Sequence, residues 1–298
     1  MTHTVHGLVP ILATPFGPDG ALDLPSLRRL TEFQLASGVT GVAVFGMASE
    51  GFALTTEERA RILTTVTEVV AAAVPVVAGI NGTSTVTAIE QAGAAVAGGA
   101  SALMVLPPFM VKPTPDQLLT FYGDVAAAAK VEVMVQDAPG ATGVTMPPTL
   151  IAELGKLDGI TSVKVESPPT APKVAAVVAA RADDRFAVLG GQNAQFCLEE
   201  YARGAIGTMP ACEFPDLLGP VLADWQAGRH ADARAEFARL LPLILFGLQQ
   251  GIAWAVHKEV LVRRGLIADA TVRSPARPLD PASRDSLATI LADLGLAR

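Results

Sequence analysis

One lysine of this sequence stands where a charged side chain is unusual. The chain contains six lysines, and Lys164 lies within the apolar run Ile160–Val165, whereas the others lie in helical patterns or loops. Burying an ammonium group is costly, so this position favours the neutral amine. A neutral amine can attack a ketone and form a Schiff base, which would make Lys164 a covalent catalyst. A structural ion pair with Glu166 or Asp137 would suit the same position, and position alone leaves both interpretations open.

Further polar residues follow the ends of other apolar runs. If these runs are parallel strands of one barrel, their carboxyl ends meet on the face where active sites lie. Gln136 is suited to positioning a substrate carboxylate or hydroxyl, whereas Asp137, just before Ala138 and Pro139, would equally suit a turn. The candidates predicted on this basis are Thr14, Ser49, Glu50, Asn81, Gln136, Asp137, Lys164, Glu166, Gln192, Asn193 and Thr208.

Histidine and cysteine give no comparable signal. His230 and His257 lie in helical patterns near the end of the chain, which favours surface or packing positions for both. Cys197 and Cys212 are the two cysteines, and no spacing typical of a metal site or a disulfide framework occurs. We therefore expect no metal, no disulfide and no cysteine nucleophile.

The elements that must position these residues alternate regularly. Eight short apolar runs, rich in β-branched residues, are separated by segments with helical periodicity. The runs are Leu8–Ala13, Gly41–Gly46, Pro75–Gly79, Ala102–Leu106, Val131–Gln136, Ile160–Val165, Phe186–Gly190 and Ala205–Met209. This pattern predicts an α/β fold, a (β/α)8 TIM barrel with a C-terminal helical extension. We place the barrel in residues 1–228 and the extension, part of the same domain, in residues 229–298.

Composition limits the class of partner. The 298 residues carry a formal net charge of −7, and 50% of them are hydrophobic. The acidic balance argues against nucleic acid and anionic membranes, whereas a small anionic substrate is compatible with a locally basic site. The first ten residues lack the pattern of a secretory signal, and the apolar stretches are too short to span a bilayer. We expect a cytoplasmic protein.

Several motifs occur in an order that is typical of one family. They are the segment from Pro10 to Phe16, the segment from Gly46 to Glu50, Pro107 to Phe109, Pro139 to Gly143, and Val163 with Lys164. On these motifs the chain resembles the dihydrodipicolinate synthase / N-acetylneuraminate lyase family over essentially its whole length. The resemblance implies a Schiff base on Lys164, a 2-keto acid substrate, no cofactor or metal, and a homo-oligomer built as a dimer of dimers.

The chain departs from the family pattern at positions that would touch the substrate. Where the family usually has two hydroxyl residues and a glycine after the second strand, this chain has Met47, Ala48 and Ser49. The tyrosine that relays protons in the family is replaced by Gln136, and an arginine beyond it by Ala141. We therefore do not expect dihydrodipicolinate formation.

Other segments are more similar to one branch of the family, the L-2-keto-3-deoxyarabonate dehydratases. These segments are Val135–Pro139, Val163–Pro168, Glu213–Asp216, Gly228–His230, Leu240–Ile244 and Gln250–Ile252. The resemblance implies dehydration of a 2-keto-3-deoxy sugar acid or a related 2-keto acid. Two alternatives stay open: a pyruvate-dependent aldolase that uses the same lysine, and a barrel that binds a keto acid without catalysis.

The dehydratase hypothesis assigns roles to other predicted site residues. In the absence of the tyrosine, Gln136 would position water or substrate, and Glu166 or Glu50 would transfer protons. Backbone N–H groups of Ala48 and Ser49 would bind the substrate carboxylate, since that contact needs no side chain. The remaining residues predicted to contact the substrate are Glu50, Asp137, Gln192, Asn193 and Thr208.

Overall fold

Eight parallel strands form one sheet in a computed structural model that describes residues 4–296. The strands are Gly7–Leu8 (β1), Val42–Val44 (β2), Val76–Ile80 (β3), Ala102–Val105 (β4), Glu132–Asp137 (β5), Ile160–Val165 (β6), Ala187–Gly190 (β7) and Gly207–Thr208 (β8). They pair in the order β1-β8-β7-β6-β5-β4-β3-β2, and a parallel bridge between Ile11 and Ala43 joins the two ends of the sheet. The predicted TIM barrel is confirmed.

Each predicted apolar run overlaps one strand, but the first strand is shorter than its run. The run Leu8–Ala13 contains Pro10, which has no N–H to donate to the ladder towards β2. Beyond the proline, Ile11 contributes only isolated bridges, to Ala43 and Ala211. The interruption therefore follows from the chemistry of a single residue.

Helices connect the strands and cover the outside of the barrel. Their bounds are Leu24–Ala36 (α1), Thr56–Val70 (α2), Thr85–Ala97 (α3), Pro115–Ala129 (α4), Pro139–Thr142 (α5), Pro148–Leu154 (α6), Thr170–Ala180 (α7), Cys197–Tyr201 (α8), Pro215–Gln226 (α9), His230–Phe246 (α10), Ala253–Arg263 (α11) and Pro281–Asp293 (α12). Local sequence sets the start of several of them. Thr55 and Glu58, for example, form a capping box at the start of α2. Within residues 4–296, no helix combines the length and the apolar character that crossing a membrane requires.

Alternation along β6 carries the lysine into the barrel. Val163 and Val165 pack outward, in the large cluster shared with the helices, whereas Leu189 of β7 belongs to a separate cluster inside the barrel. Because successive side chains of a strand point to opposite faces, Lys164 points inward. In the ladder it lies between Gln136 of β5 and Leu189 of β7. It stands one residue before the carboxyl end of its strand.

The helices that follow α9 return to the carboxyl face of the barrel. Helix α10 packs on α9, α12 packs on α10, and α11 packs against the 3-10 turn Met47–Ser49 that follows β2. The indole Nε1 of Trp254 in α11 donates a hydrogen bond of 2.6 Å to the carbonyl of Met47. This part of the extension therefore lies above the strand ends where chemistry is expected.

Candidate active site

A cavity of about 610 Å³ opens at the carboxyl ends of the strands. Its wall is formed by Lys164 and Glu166 at the end of β6, by loops after β2, β5, β7 and β8, and by the C-terminal helices. Among the described residues that line it, three are ionisable: Lys164, Glu166 and His257. Proton transfer within the cavity is thus limited to a small set of groups.

Lys164 and Glu166 form a buried pair that faces the cavity. The lysine is 3% exposed, and its Nζ lies 3.1 Å from Oε1 of Glu166. A carboxylate at hydrogen-bond distance can accept the proton that an amine loses when it attacks a carbonyl. The ion pair between Lys164 and Glu166, one of the two interpretations that the sequence left open, is present. Because the pair lies on the cavity wall, it is also compatible with a nucleophilic lysine.

The carboxylate of Glu166 is fixed by further donors. Gln136 Nε2 donates to Oε2 at 2.7 Å, and the backbone N–H of Gln192 donates to Oε1 at 3.3 Å. The side-chain amide of Gln192 also donates to the backbone carbonyl of Glu166, at 2.7 Å. Because both carboxylate oxygens have partners, Glu166 is held in one orientation towards the lysine.

The loop after β7 adopts an unusual backbone conformation beside this pair. Gln192, Asn193 and Ala194 have φ values of 47°, 53° and 62°, a left-handed region that is unfavourable for residues other than glycine. Asn193 holds the loop in place, since its Oδ1 accepts the Ala211 N–H at 3.0 Å and its Nδ2 donates to the Ile244 carbonyl at 3.1 Å. The strained turn thereby aims a backbone N–H at the carboxylate that faces the lysine.

Helix α11 contributes a further ionisable side chain to the cavity wall. His257 lines the cavity, and its Nδ1 lies 2.7 Å from Oε1 of the fully buried Glu213. The sequence favoured a surface or packing position for this histidine, and its contact with the cavity was not predicted. The sequence places His257 on the same helix face as Trp254, three residues before it, but only the structure shows that this face lines the cavity.

A sequence profile of the Dihydrodipicolinate synthetase family matches residues 4–294 of this chain. The chain belongs to this family. Members of the dihydrodipicolinate synthetase family are class I Schiff-base lyases that act on small keto acids, and they use a lysine without metal or cofactor.

Individual relatives differ in their activities. The L-2-keto-3-deoxyarabonate dehydratase of Azospirillum brasilense is 32% identical over 288 residues, which cover 95% of this chain and 93% of that enzyme. The 4-hydroxy-tetrahydrodipicolinate synthase of Methylococcus capsulatus is 32% identical over 269 residues, with coverage of 88% and 91%. The crystal structure of dihydrodipicolinate synthase from Rhodopseudomonas palustris has a TM-score of 0.91 and 29% identity, and covers 97% of this chain and 98% of its own.

Two residues of the loop after β2, which the sequence predicted to contact the substrate, are engaged elsewhere in the structure. Glu50 is fully buried and forms an ion pair with Lys258 of α11, while its Oε2 accepts the N–H of Arg273 at 2.8 Å. The N–H of Ser49 donates to the carbonyl three residues before it, at 3.1 Å. Since these groups are engaged within the protein, we correct the predicted roles of Glu50 in proton transfer and of Ser49 in carboxylate binding. Ala48 does line the cavity.

The last two residues of β5 also lie outside the cavity lining. Asp137 is fully buried and forms an ion pair of 3.0 Å with Lys173, and burial raises the pKa of this carboxyl. Gln136 acts on Glu166 and does not line the cavity. On the cavity wall the structure brings together Ala48, Lys164, Glu166, Gln192 and Asn193, and it places Ser49, Glu50, Gln136, Asp137 and Thr208 outside it.

The remaining candidates have structural positions. Thr14 Oγ1 donates to the Ser49 carbonyl at 2.7 Å, and Asn81 Oδ1 accepts from Arg59 at 3.1 Å. Both cysteines are free and buried, and burial raises the pKa of each thiol. Neither thiol is therefore suited to act as a nucleophile at neutral pH.

A buried acid behind the site predicts a pH-dependent stability. Glu200 is 1% exposed, and desolvation raises its pKa from 4.5 to about 7, although Thr170 Oγ1 donates to it at 2.5 Å. The folded state holds this proton more tightly than the unfolded state, so the contribution of Glu200 to stability is present below pH 4.5 and is lost as pH rises through about 7. The loss amounts to about 3 kcal/mol at about 1.4 kcal/mol per pKa unit.

We expect Glu200→Gln to remove this pH dependence. Urea unfolding of both proteins at pH 5 and pH 8 measures it, and the variant should gain stability relative to the wild type at the higher pH. A difference between the two proteins that stays constant across this interval would contradict the raised pKa of Glu200.

Proposed function

We propose that this protein forms a Schiff base between Lys164 and a 2-keto acid, and that it dehydrates a 2-keto-3-deoxy sugar acid. The observation that supports the first part is the location of Lys164, which is buried at the carboxyl end of β6, faces the cavity, and has a fixed carboxylate 3.1 Å from its Nζ. Within the chain's family this chemistry is the shared reaction type.

The Lys164 and Glu166 pair accounts for the first half of the reaction. Glu166 takes a proton from the Lys164 ammonium, and the neutral amine attacks C2 of the keto acid. Glu166 passes two of the three ammonium protons in turn to the C2 oxygen, which leaves as water. The resulting iminium acidifies C3. Glu166 then removes a C3 proton and an enamine forms. In this scheme the N–H of Ala48 binds the substrate carboxylate.

Gln136 supports a reaction other than that of the synthases. It stands where the family resemblance places a proton-relaying tyrosine, but an amide does not titrate near neutral pH. Its Nε2 donates to Glu166, so it orients the base and carries no proton itself. With the enamine formed and no tyrosine relay, loss of the C4 hydroxyl is the step that we favour.

Borohydride trapping tests the Schiff base. The wild-type protein is incubated with pyruvate and with 2-keto-3-deoxy pentonates and hexonates, reduced, and measured by intact mass followed by peptide mapping. We expect an adduct of substrate mass on Lys164. Lys258 is the internal control, because it is also buried beside a glutamate but lies outside the cavity lining.

The outcomes separate the alternatives. Absence of an adduct with every keto acid would refute the lyase proposal and favour a binding role. With an adduct present, an aldehyde product that retains all the carbons identifies dehydration, whereas release of pyruvate identifies an aldolase. The homo-oligomer remains a prediction, which sedimentation of the purified protein tests.

A further inference from the structure

We propose that His257, oriented by Glu213, is the general acid that protonates the C4 hydroxyl as it leaves, a role that rests on the dehydration proposed above. Lys164 and Glu166 are committed to C2 and C3 in that reaction. His257 is the third ionisable residue among the described residues of the cavity wall. The neighbouring polar side chains there are amides, such as Gln195 and Gln250, which cannot donate a proton to a leaving group in this way.

The geometry of the pair leaves one ring nitrogen for the substrate. Nδ1 of His257 lies 2.7 Å from Oε1 of Glu213, whereas Nε2 has no hydrogen-bond partner among residues 4–296. Glu213 is fully buried, and a buried carboxylate needs a hydrogen-bonded partner to offset its desolvation. A carboxylate on one nitrogen of an imidazole fixes the orientation of the ring and leaves the other nitrogen for the substrate, which is the arrangement of acid–base histidines.

Neighbouring residues restrict the position of the ring. A Cβ added at Gly247 would lie 2.8 Å from Cε1 of His257, so the chain approaches the imidazole as closely as a glycine allows. On the other side, Arg264 donates to the backbone carbonyl of Glu213 and forms an ion pair of 2.6 Å with Asp216. His257 and Glu213, which together form the dyad, are therefore both held in position by surrounding residues.

The dyad and the lysine reach the cavity from different directions. Lys164 enters from β6, whereas His257 enters from α11, which packs against the turn after β2. In the closed ring of eight strands, β2 and β6 are four strands apart. Both groups line the same cavity, so a substrate bound through C2 to Lys164 lies between the lysine and the helix that carries His257.

In the dehydration step, the enamine expels the C4 hydroxyl as water. The electron pair of the enamine forms the C3–C4 double bond, and the C4–O bond breaks with its electrons on oxygen. Nε2 of the imidazolium gives its proton to that oxygen, so water leaves. The neutral imidazole keeps its Nδ1–H on Glu213 and regains the Nε2 proton from solvent.

His257→Gln tests the role of the histidine. We expect dehydration to fall by about 10²- to 10⁴-fold, the usual contribution of a general acid. Borohydride trapping on Lys164 should be unchanged, because imine formation does not use His257. His230→Gln is the matched control: this histidine also lies in the extension, stacks on Trp225 and does not line the cavity, and its variant should behave as wild type.

A substrate with fluoride in place of the C4 hydroxyl separates acid catalysis from packing. Fluoride leaves as an anion and needs no proton, so fluoride release by His257→Gln should stay within about 10-fold of wild type. The proposal would be overturned if His257→Gln lost the same factor in rate on both substrates. It would also be overturned if the variant dehydrated the hydroxyl substrate at a rate within about 3-fold of wild type.

Two further results keep the outcomes distinct. If His257→Gln does not fold, Glu213→Gln provides the same comparison, because Glu213 is the positioning residue and its loss should also affect the hydroxyl substrate more than the fluoride substrate. If the wild type itself gives no borohydride adduct, the Schiff-base function fails, whereas a normal adduct with unequal losses supports the role of His257.

Discussion

Lys164→Ala is expected to lower turnover by roughly four to six orders of magnitude, as loss of a covalent nucleophile does. The variant lacks the amine that forms the iminium, and without this electron sink the C3 proton of the substrate is not acidic enough to be removed. Steady-state and single-turnover assays with the keto acid that traps on the wild type measure the loss. Trapping should also be abolished.

The fold should survive this substitution, so the loss will report on chemistry. Glu166 keeps its contacts with Gln136 and Gln192 after the lysine is removed. Lys164→Arg is the informative control, because arginine preserves the charge beside Glu166 but does not form an imine. If Lys164→Arg retained more than about one hundredth of the wild-type rate, the covalent mechanism would be wrong.

Lys258→Met is expected to destabilise the protein by about 3 to 5 kcal/mol, because it leaves a buried carboxylate without its partner. Lys258 is 1% exposed and Glu50 is fully buried. The lysine also donates to the Thr271 carbonyl at 2.7 Å and lies 4.1 Å from the ring centre of Phe16. Burial lowers the pKa of Lys258 to about 8, so its ammonium group is still mostly charged at pH 7.

Chemical denaturation of single and double variants measures this effect. Glu50→Gln combined with Lys258→Met should recover much of the loss, since the stranded charge is then removed as well. Lys156→Met is a matched control at an exposed lysine paired with Glu153, and it should change stability little. A loss below about 1 kcal/mol for Lys258→Met would show that the pair has no structural role.

The sequence predicted those features that local patterns encode. Eight apolar runs are enough to count the strands, and the period of two along β6 is enough to place Lys164 inside the barrel. Except at β1, the carboxyl ends of the strands were located within one or two residues, which explains why Ala48, Glu166 and Gln192 were found on the cavity wall.

Features that depend on distant partners were not predictable in this way. Glu50 was expected at the substrate because it follows a strand, but its partner Lys258 lies about two hundred residues later, in a segment whose packing the sequence does not specify. His257 was missed for the same reason. Its helix is amphipathic like any surface helix, and only the path of the extension brings it over the barrel.

The position of α11 has a consequence for how new activities arise in this fold. Lys164 belongs to a strand of the barrel, whereas His257 on the wall above it belongs to α11, the helix that also supplies Lys258 to the buried pair with Glu50. Substitution of the cavity-facing residues of α11 would therefore change the surroundings of a bound substrate, while the strand that carries Lys164 and the buried partner of Glu50 are inherited unchanged.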